Sequence, residues 1–210
     1  MGRAAEMTAA DVGPSIADAL WLGTLHRICG RAAHELKGAL NGVSVNLEVV
    51  RSRSEKADVP ASKVNTFANA AVDQLGVVIS MTDALLSLAR PLREPMDLGL
   101  LLARFHALLA PAVRVDGGSV QLDAALVDVG TTSARGSAVG VSVGGCLLAA
   151  IEASSDVRCR PVLGGLAPVI RIECGDGAQP SLDREIVGVA ADAGIHIVTE
   201  SSVISISFPR

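Results

Sequence analysis

A helical period that runs without proline from about Ser15 to Arg53 most constrains how this 210-residue chain can fold. Apolar residues recur along it every three or four positions: Leu25, Cys29, Ala32, Leu36, Ala39, Val43, Leu47 and Val50. This spacing places apolar side chains on one stripe of an α-helix, as in a coiled-coil seam. The segment therefore predicts one long amphipathic helix.

A second helical stripe follows the polar segment Ser52 to Pro60, which has the composition of a turn. Its members are Phe67, Ala71, Leu75, Val78, Thr82, Leu85 and Ala89, and we expect Pro91 to end the helix because proline cannot continue the backbone ladder. Two long helices with a short connection predict an antiparallel hairpin. A lone hairpin leaves part of its stripes in water, so we expect a homodimer in which two hairpins form a four-helix bundle.

The composition changes after Pro95, where helical and strand patterns mix. We expect helices over 97–110, 142–153 and 183–193, a strand within 119–129, and strands over 169–174, 195–199 and 203–208. The fold class predicted is α+β: a helical hairpin followed by an α/β sandwich with helices on one face. The corresponding division is a flexible tail at 1–13, a hairpin domain at 14–92 and an α/β domain at 93–210.

Composition excludes several classes of protein. Half the residues are hydrophobic and the formal net charge is −4, which argues against both a disordered chain and a nucleic-acid partner. The N-terminus has no continuous apolar region typical of a secretory signal. The most apolar stretch, Leu98 to Val115, is interrupted by charged residues and a proline, so we expect no membrane association and a cytoplasmic location. The four cysteines lack metal-ligand spacing, so no metal site is expected.

His34 is the residue with the clearest chemical potential. At about 100° per residue it lies roughly 160° around the helix from Leu36, so it should face water. Gly38, Asn41, Val45 and Glu48 fall on nearly the same face. An exposed imidazole is mostly neutral at cytosolic pH and can act as a nucleophile, and the adjacent Glu35 could accept one ring proton. The simpler alternative is that His34 is only a solvated surface residue.

The segment His34-Glu35-Leu36-Lys37-Gly38-Ala39-Leu40-Asn41 resembles the H-box of bacterial sensor histidine kinases. The second helix, which ends Leu-Leu-Ser-Leu-Ala-Arg-Pro, is similar to the second helix of that family's dimerisation and histidine-phosphotransfer hairpin. The resemblance implies that His34 accepts a phosphoryl group and that Glu35 is its acid/base partner. Gly38 stands where the family usually has Asn or Thr, and Ala39 where a helix-bending proline is common. These departures imply weak phosphatase activity and a straighter helix.

The resemblance decays in the C-terminal half. Leu147 to Ala153 is similar to the family's N-box, but Ala149 replaces the Asn that helps to hold Mg²⁺. The run Cys174 to Ala178 does not restore the Asp-x-Gly-x-Gly of the first glycine box, and the ATP lid and second glycine box are missing. The resemblance therefore implies a degenerate Bergerat-like (GHKL-type) ATPase domain. No ATP is expected to bind, and a receiver-domain partner would supply Mg²⁺.

Simpler interpretations apply to the remaining candidates. Asp176-Gly177 is most simply a turn at the end of a strand, and Glu152 a solvated carboxylate rather than a metal ligand. His106 is expected in the core or at its rim, and His26 and His196 carry no assigned chemistry.

The sequence thus predicts a histidine phosphotransfer protein of a two-component phosphorelay, without autokinase activity. Phosphoryl groups would pass between His34 and receiver-domain aspartates, with Gly38, Asn41, Val45 and Glu48 contacting the partner. The partners expected are a second copy of the chain, response-regulator receiver domains and a hybrid histidine kinase. The first alternative is a non-catalytic scaffold that binds a kinase or a regulator. The second is an ATP-dependent histidine kinase.

Overall fold

The fold is α+β and was obtained as a computed structural model that describes residues 15–56, 59–115, 117–162 and 164–210. The tail expected at 1–13 lies outside the described residues. The helices are α1 (Ile16–Ser54), α2 (Ala61–Leu88), α3 (Leu98–Val115), α4 (Gly136–Ala153) and α5 (Arg184–Asp192). The strands are β1 (Met96–Asp97), β2 (Ser119–Leu122), β3 (Thr131–Thr132), β4 (Asp156–Pro161), β5 (Val169–Cys174), β6 (His196–Glu200) and β7 (Val203–Ser207).

Helices α1 and α2 form the expected antiparallel hairpin. A capping box starts α1, in which Ser15 accepts the Asp18 N–H and Asp18 accepts the Ser15 N–H. Along the hairpin, Asn46 donates a hydrogen bond to Gln74 at 3.1 Å, and nearer the turn the Arg53 guanidinium lies 4.5 Å from the centre of the Phe67 ring. Between these two contacts the residue number rises from 46 to 53 in α1 and falls from 74 to 67 in α2, so the two helices are antiparallel.

Five strands form one sheet in the order β2-β4-β5-β7-β6. Strands β2 and β4 are parallel and the other neighbours are antiparallel, while β1 and β3 form a separate two-stranded pair. Burial alternates along β4, β5 and β7, with buried residues such as Val157, Ile172 and Ile204 next to exposed or half-buried ones. Only one face of the sheet is therefore covered, and α4 packs against its strands on that side.

A single hydrophobic core joins the hairpin to the α/β part. The N-terminal half of α1 contributes Trp21, Ile28 and Ala32, and the C-terminal half of α2 contributes Met81 and Leu88. Glycines of α4 permit this close packing: a Cβ at position 140 would lie 2.8 Å from the Trp21 ring, and one at position 144 would lie 2.9 Å from Cγ2 of Thr24. The half of the hairpin that lies away from its turn is thus packed against α4.

The outward face of the hairpin exposes apolar side chains at heptad spacing. Leu40 and Leu47 of α1 are seven residues apart, as are successive members of the α2 series Val72, Ile79 and Leu86. Leu47 and Leu75, expected inside the hairpin seam, are 53% and 45% exposed. The sequence period had merged two neighbouring stripes, one facing the partner helix and one facing outward.

Three elements differ from the sequence expectation. Helix α3 continues through Pro111 to Val115, helix α4 begins at Gly136 rather than Ser142, and strand β4 was not anticipated. The expected strand within 119–129 ends at Leu122, and a short 3₁₀ helix, Ala124–Asp128, follows it.

The expectation of a purely cytoplasmic protein is wrong. Three helices are long and apolar enough to cross a membrane, judged by length and composition alone: Ala61–Leu88, Leu98–Val115 and Gly136–Ala153. The sequence argument required an uninterrupted apolar run. A helix with one or two charged residues can still have the average hydropathy of a membrane span, which is why that argument missed all three.

Candidate functional site

His34 lies near the middle of α1, and its side chain is exposed to solvent. Gly38, Asn41, Val45 and Glu48 are exposed as well. A Cβ at position 38 would meet no heavy atom within 4 Å, so nothing in the described chain covers this part of the helix. The five residues thus form one open surface along α1, which we call the His34 face.

The His34 face is polar except for Val45. The Glu48 carboxylate accepts a hydrogen bond from Arg51 at 2.6 Å, which orients it along the helix. Both side chains are largely exposed, so this i,i+3 pair adds little to stability. Its charges remain available to a partner.

Glu35 lies at the edge of the His34 face, because it lines a cleft together with Gly38. It is half-buried and, within the described chain, forms no hydrogen bond with His34. It lines a cleft of about 270 Å³ between the hairpin and the end of α3, together with Gly38, Ala39, Gln74, Val77, Pro111, Arg114 and Val115.

Two arginines of α1 connect the candidate site to the α/β part. Arg27 and Arg31 both donate to Oε1 of Glu152, at 2.7 Å and 3.0 Å, where α4 ends. Arg31 is one helical turn before His34 and Arg27 is two turns before it, so the guanidinium groups lie on the same side of α1. We call this group the Glu152 clamp. Sequence reasoning had left Glu152 as a solvated carboxylate.

A sequence signal for the clamp existed. Arg27, Arg31 and His34 are spaced by four and three residues, which places three nitrogen-rich side chains close together on one helix. The clamp holds positive charge beside His34. That charge would favour a dianionic phosphoryl group arriving at the ring.

The two segments that resemble altered nucleotide boxes lie in different surroundings. Ala149 is buried in α4, and Asp176 is exposed in a tight turn with φ 54°. Helix α5 lies directly on α4, and Cδ1 of Ile186 is only 2.6 Å from where a Cβ at position 145 would be. A cleft of about 270 Å³ borders the end of α4 at Ile151, Glu152 and Ala153, and another of about 310 Å³ is lined by Cys174 and Gly175.

The other histidines have structural or exposed positions. His106 is half-buried, and its Nε2 lies 2.9 Å from the Val120 carbonyl oxygen, which joins α3 to β2. His26 and His196 are exposed. Among the described residues, no three His, Cys, Asp or Glu side chains are grouped as a metal site would require.

Comparisons with known proteins give little guidance. No protein family and no curated protein match the chain. Among solved structures, the chain is similar to the histidine kinase AdeS of Acinetobacter baumannii, with 10% sequence identity and a TM-score of 0.40. The match covers 84% of this chain and 97% of that one. A likeness this slight assigns neither an activity nor a ligand.

Proposed function

We propose that the protein is a histidine phosphotransfer protein that exchanges phosphoryl groups between His34 and an aspartate of a receiver domain. The observation that carries this proposal is the exposed imidazole on an otherwise uncovered helix face. A group-transfer nucleophile must be reached by a second protein, and the His34 face offers a surface on which that protein can dock.

The chemical step is an in-line displacement at phosphorus. The lone pair of one imidazole nitrogen attacks the aspartyl phosphate, a P–N bond forms, and the P–O bond to the aspartate breaks to release its carboxylate. Mg²⁺ held by the receiver neutralises charge on the phosphoryl oxygens. The reverse transfer follows the same path, so the chain can donate as well as accept.

The partner's contact surface consists of the His34 face below the ring. Gly38 leaves room for a close approach, Asn41 offers both donors and acceptors, and Val45 is an exposed apolar contact. Glu48 with its bound Arg51 provides a charged rim. This polar, modest surface suits a transient complex.

A second copy of the chain is the proposed occupant of the apolar heptad stripes on the hairpin. The stripes comprise Leu22, Leu40, Leu47, Val72, Leu75, Ile79 and Leu86, all exposed in the single chain. Two identical hairpins would bury them against each other as a four-helix bundle. At about 100° per residue, His34 lies roughly 120° around α1 from Leu40, so such a dimer would leave the His34 face open.

The α/β part acts as a scaffold in this proposal. It buries one side of α1 through Trp21 and Ile28 and grips the same helix through the Glu152 clamp. Ala149 in place of the N-box Asn, and the altered run Cys174 to Ala178, support a chain that takes its phosphoryl group from a partner protein rather than from ATP.

The test is phosphoryl transfer from a radiolabelled receiver domain to the full chain, with [γ-³²P]ATP alone as a second arm. We expect label to arrive from the receiver, to be absent with ATP, and to be lost in His34→Gln. His26→Gln, which changes another exposed histidine on the same helix, is the matched control and should label normally. Label from ATP, or label that survives in His34→Gln, would overturn the proposal.

A non-catalytic scaffold is the second candidate, and the exposed apolar stripes favour it because they could bind another helical protein. The two functions separate in cells that carry single substitutions. A scaffold would tolerate His34→Ala and fail with Ile79→Asp, whereas a phosphotransfer protein fails with His34→Ala.

A further inference from the structure

A cleft of about 540 Å³ lies at the junction of the hairpin and the α/β part, far along the chain from His34. The end of α2, the segment that follows it, β1 and the first turns of α3 form its walls. The residues that line it are Ser87, Arg90, Pro91, Leu92, Arg93, Pro95, Met96, Asp97, Leu100 and Arg104. It is the most voluminous of the five clefts described.

Three guanidinium groups enter this cleft without a protein partner. Within the described chain, Arg90, Arg93 and Arg104 form neither an ion pair nor a side-chain hydrogen bond, although five other arginines form ion pairs. Arg104 is the most enclosed of the three, since it is half-buried whereas Arg90 and Arg93 are exposed. An unpaired arginine that is partly withdrawn from water favours an anion beside it.

The two carboxylates closest to Arg93 in sequence accept hydrogen bonds from backbone groups. Asp97 accepts the N–H of Leu100 at 2.8 Å and so caps the start of α3. Glu94 accepts the N–H of Gly136 at 3.1 Å, at the start of α4, and does not line the cleft. The lining therefore carries three positive charges and one negative charge in a chain whose net charge is −4.

Five of the other seven lining residues are apolar. Leu92, Met96 and Leu100 lie beside the arginines, with Pro91 and Pro95 at the margin. The volume falls within the roughly 300–1,000 Å³ range of small-molecule sites. A ligand that matches both parts has an anionic group for the arginines and an apolar or aromatic body for the remaining wall.

We propose that this cleft binds a phosphate group carried on an apolar or aromatic body. Guanidinium forks pair with phosphate through two parallel N–H···O bonds, and a diphosphate can engage more than one arginine at once. The phosphate can belong to a soluble metabolite or to a lipid headgroup, since two of the three helices apolar enough for a membrane, α2 and α3, border the cleft. This site is independent of phosphotransfer at His34.

The experiment is isothermal titration of the full chain with inorganic pyrophosphate, and flotation with vesicles of phosphatidylcholine alone or with added phosphatidic acid. Arg104→Gln should weaken binding of the responsive probe about tenfold, the factor expected for loss of a charge-assisted hydrogen bond. Arg93→Gln, in an exposed segment where folding is not at stake, should weaken it as well. Arg184→Gln removes the same charge from the exposed start of α5 and should bind like wild type.

Pyrophosphate binding that depends on Arg104 assigns a soluble phosphate ligand. Flotation that requires phosphatidic acid and Arg104, without pyrophosphate binding, assigns a lipid phosphate. The proposal is overturned if neither probe binds, if succinate binds as tightly as pyrophosphate, or if Arg184→Gln weakens binding as much as Arg104→Gln. Histidine phosphotransfer assayed in the same variants should be unchanged, which separates failure of this site from failure at His34.

Discussion

Placing a carboxylate in the exposed apolar stripe should abolish dimerisation without unfolding the chain. Ile79 lies near the centre of the α2 series and is 54% exposed, so Ile79→Asp disturbs little inside one protomer. If two copies pack through these stripes, each aspartate enters an apolar interface. The substitution therefore separates assembly from folding.

The magnitude follows from the exposed side chains. The seven stripe residues are between 45% and 67% exposed. Burying the exposed part of one such side chain contributes about 1 kcal/mol, so the seven residues on each of the two copies contribute roughly 14 kcal/mol in all. Association costs about 4–15 kcal/mol, so this burial exceeds the cost by about 10 kcal/mol at most. Ile79→Asp removes about 1 kcal/mol per copy and adds the desolvation of two carboxylates, for a loss of about 5 kcal/mol or more, at least three powers of ten in affinity.

Sedimentation equilibrium measures this directly. Wild type at tens of micromolar should have twice the 21.4 kDa chain mass, and Ile79→Asp should have the chain mass with an unchanged circular-dichroism spectrum. Leu166→Asp makes the same chemical change at a residue that is 87% exposed and far from the hairpin, and should remain dimeric. Monomeric wild type, or a dimeric Ile79→Asp, would refute the reasoning.

Three further outcomes concern stability and reactivity. Glu152→Gln should lower the free energy of unfolding in urea by about 0.5–1.5 kcal/mol, because two partly exposed ion pairs are weakened, whereas Glu185→Gln on exposed α5 should change it by less. Ile28→Ala should cost about 2–5 kcal/mol in the same measurement, since Ile28 is wholly buried between the hairpin and α4; a loss below 1 kcal/mol would mean that the two parts do not share a core. Burial raises the pKa of the Cys159 thiol to about 12, so iodoacetamide at pH 8 should leave this thiol unmodified in the native protein. Half-buried Cys29 should react first. Rapid labelling of Cys159 would contradict its packing.

Periodicity in the sequence was sufficient to predict the two helices of the hairpin. It was insufficient to predict which side chains face the partner helix and which face outward. The spacing of three and four residues places α1 and α2 correctly, because long regular stripes are a strong helical signal. It could not separate the inner seam from the outer one at residues that lie between them, such as Leu47, which is about 40° around α1 from Val43 and about 20° from Leu40. Leu47 and Leu75 were assigned to the seam for that reason and are exposed.

Helix α4 shows how packing overrides local preference. Gly140, Gly144 and Gly145 disfavour a helix by about 1 kcal/mol each relative to alanine, and the sequence predicted a helix only from Ser142. The structure begins the helix at Gly136 because those positions face Trp21, Thr24 and Ile186 at distances that leave no room for a side chain.

The candidate sites also divide into those whose residues lie close together in the sequence and those assembled from distant segments. His34 and its neighbours share one helix, so their common exposure follows from angles alone. The Glu152 clamp joins residues more than 120 positions apart, and the arginine cleft combines the end of α2, a connecting segment and α3. The spacing of Arg27 and Arg31 puts the two arginines on one side of α1, but their contact with Glu152 depends on how α1 and α4 pack.

The most direct test of the central claim is ³¹P NMR of the full chain after incubation with a receiver domain phosphorylated by acetyl phosphate. We expect a phosphoramidate resonance that persists in alkali, disappears in acid and is absent from His34→Gln. A spectrum with no phosphoramidate signal, or one in which the signal is unchanged in His34→Gln, would contradict phosphoryl transfer to this imidazole.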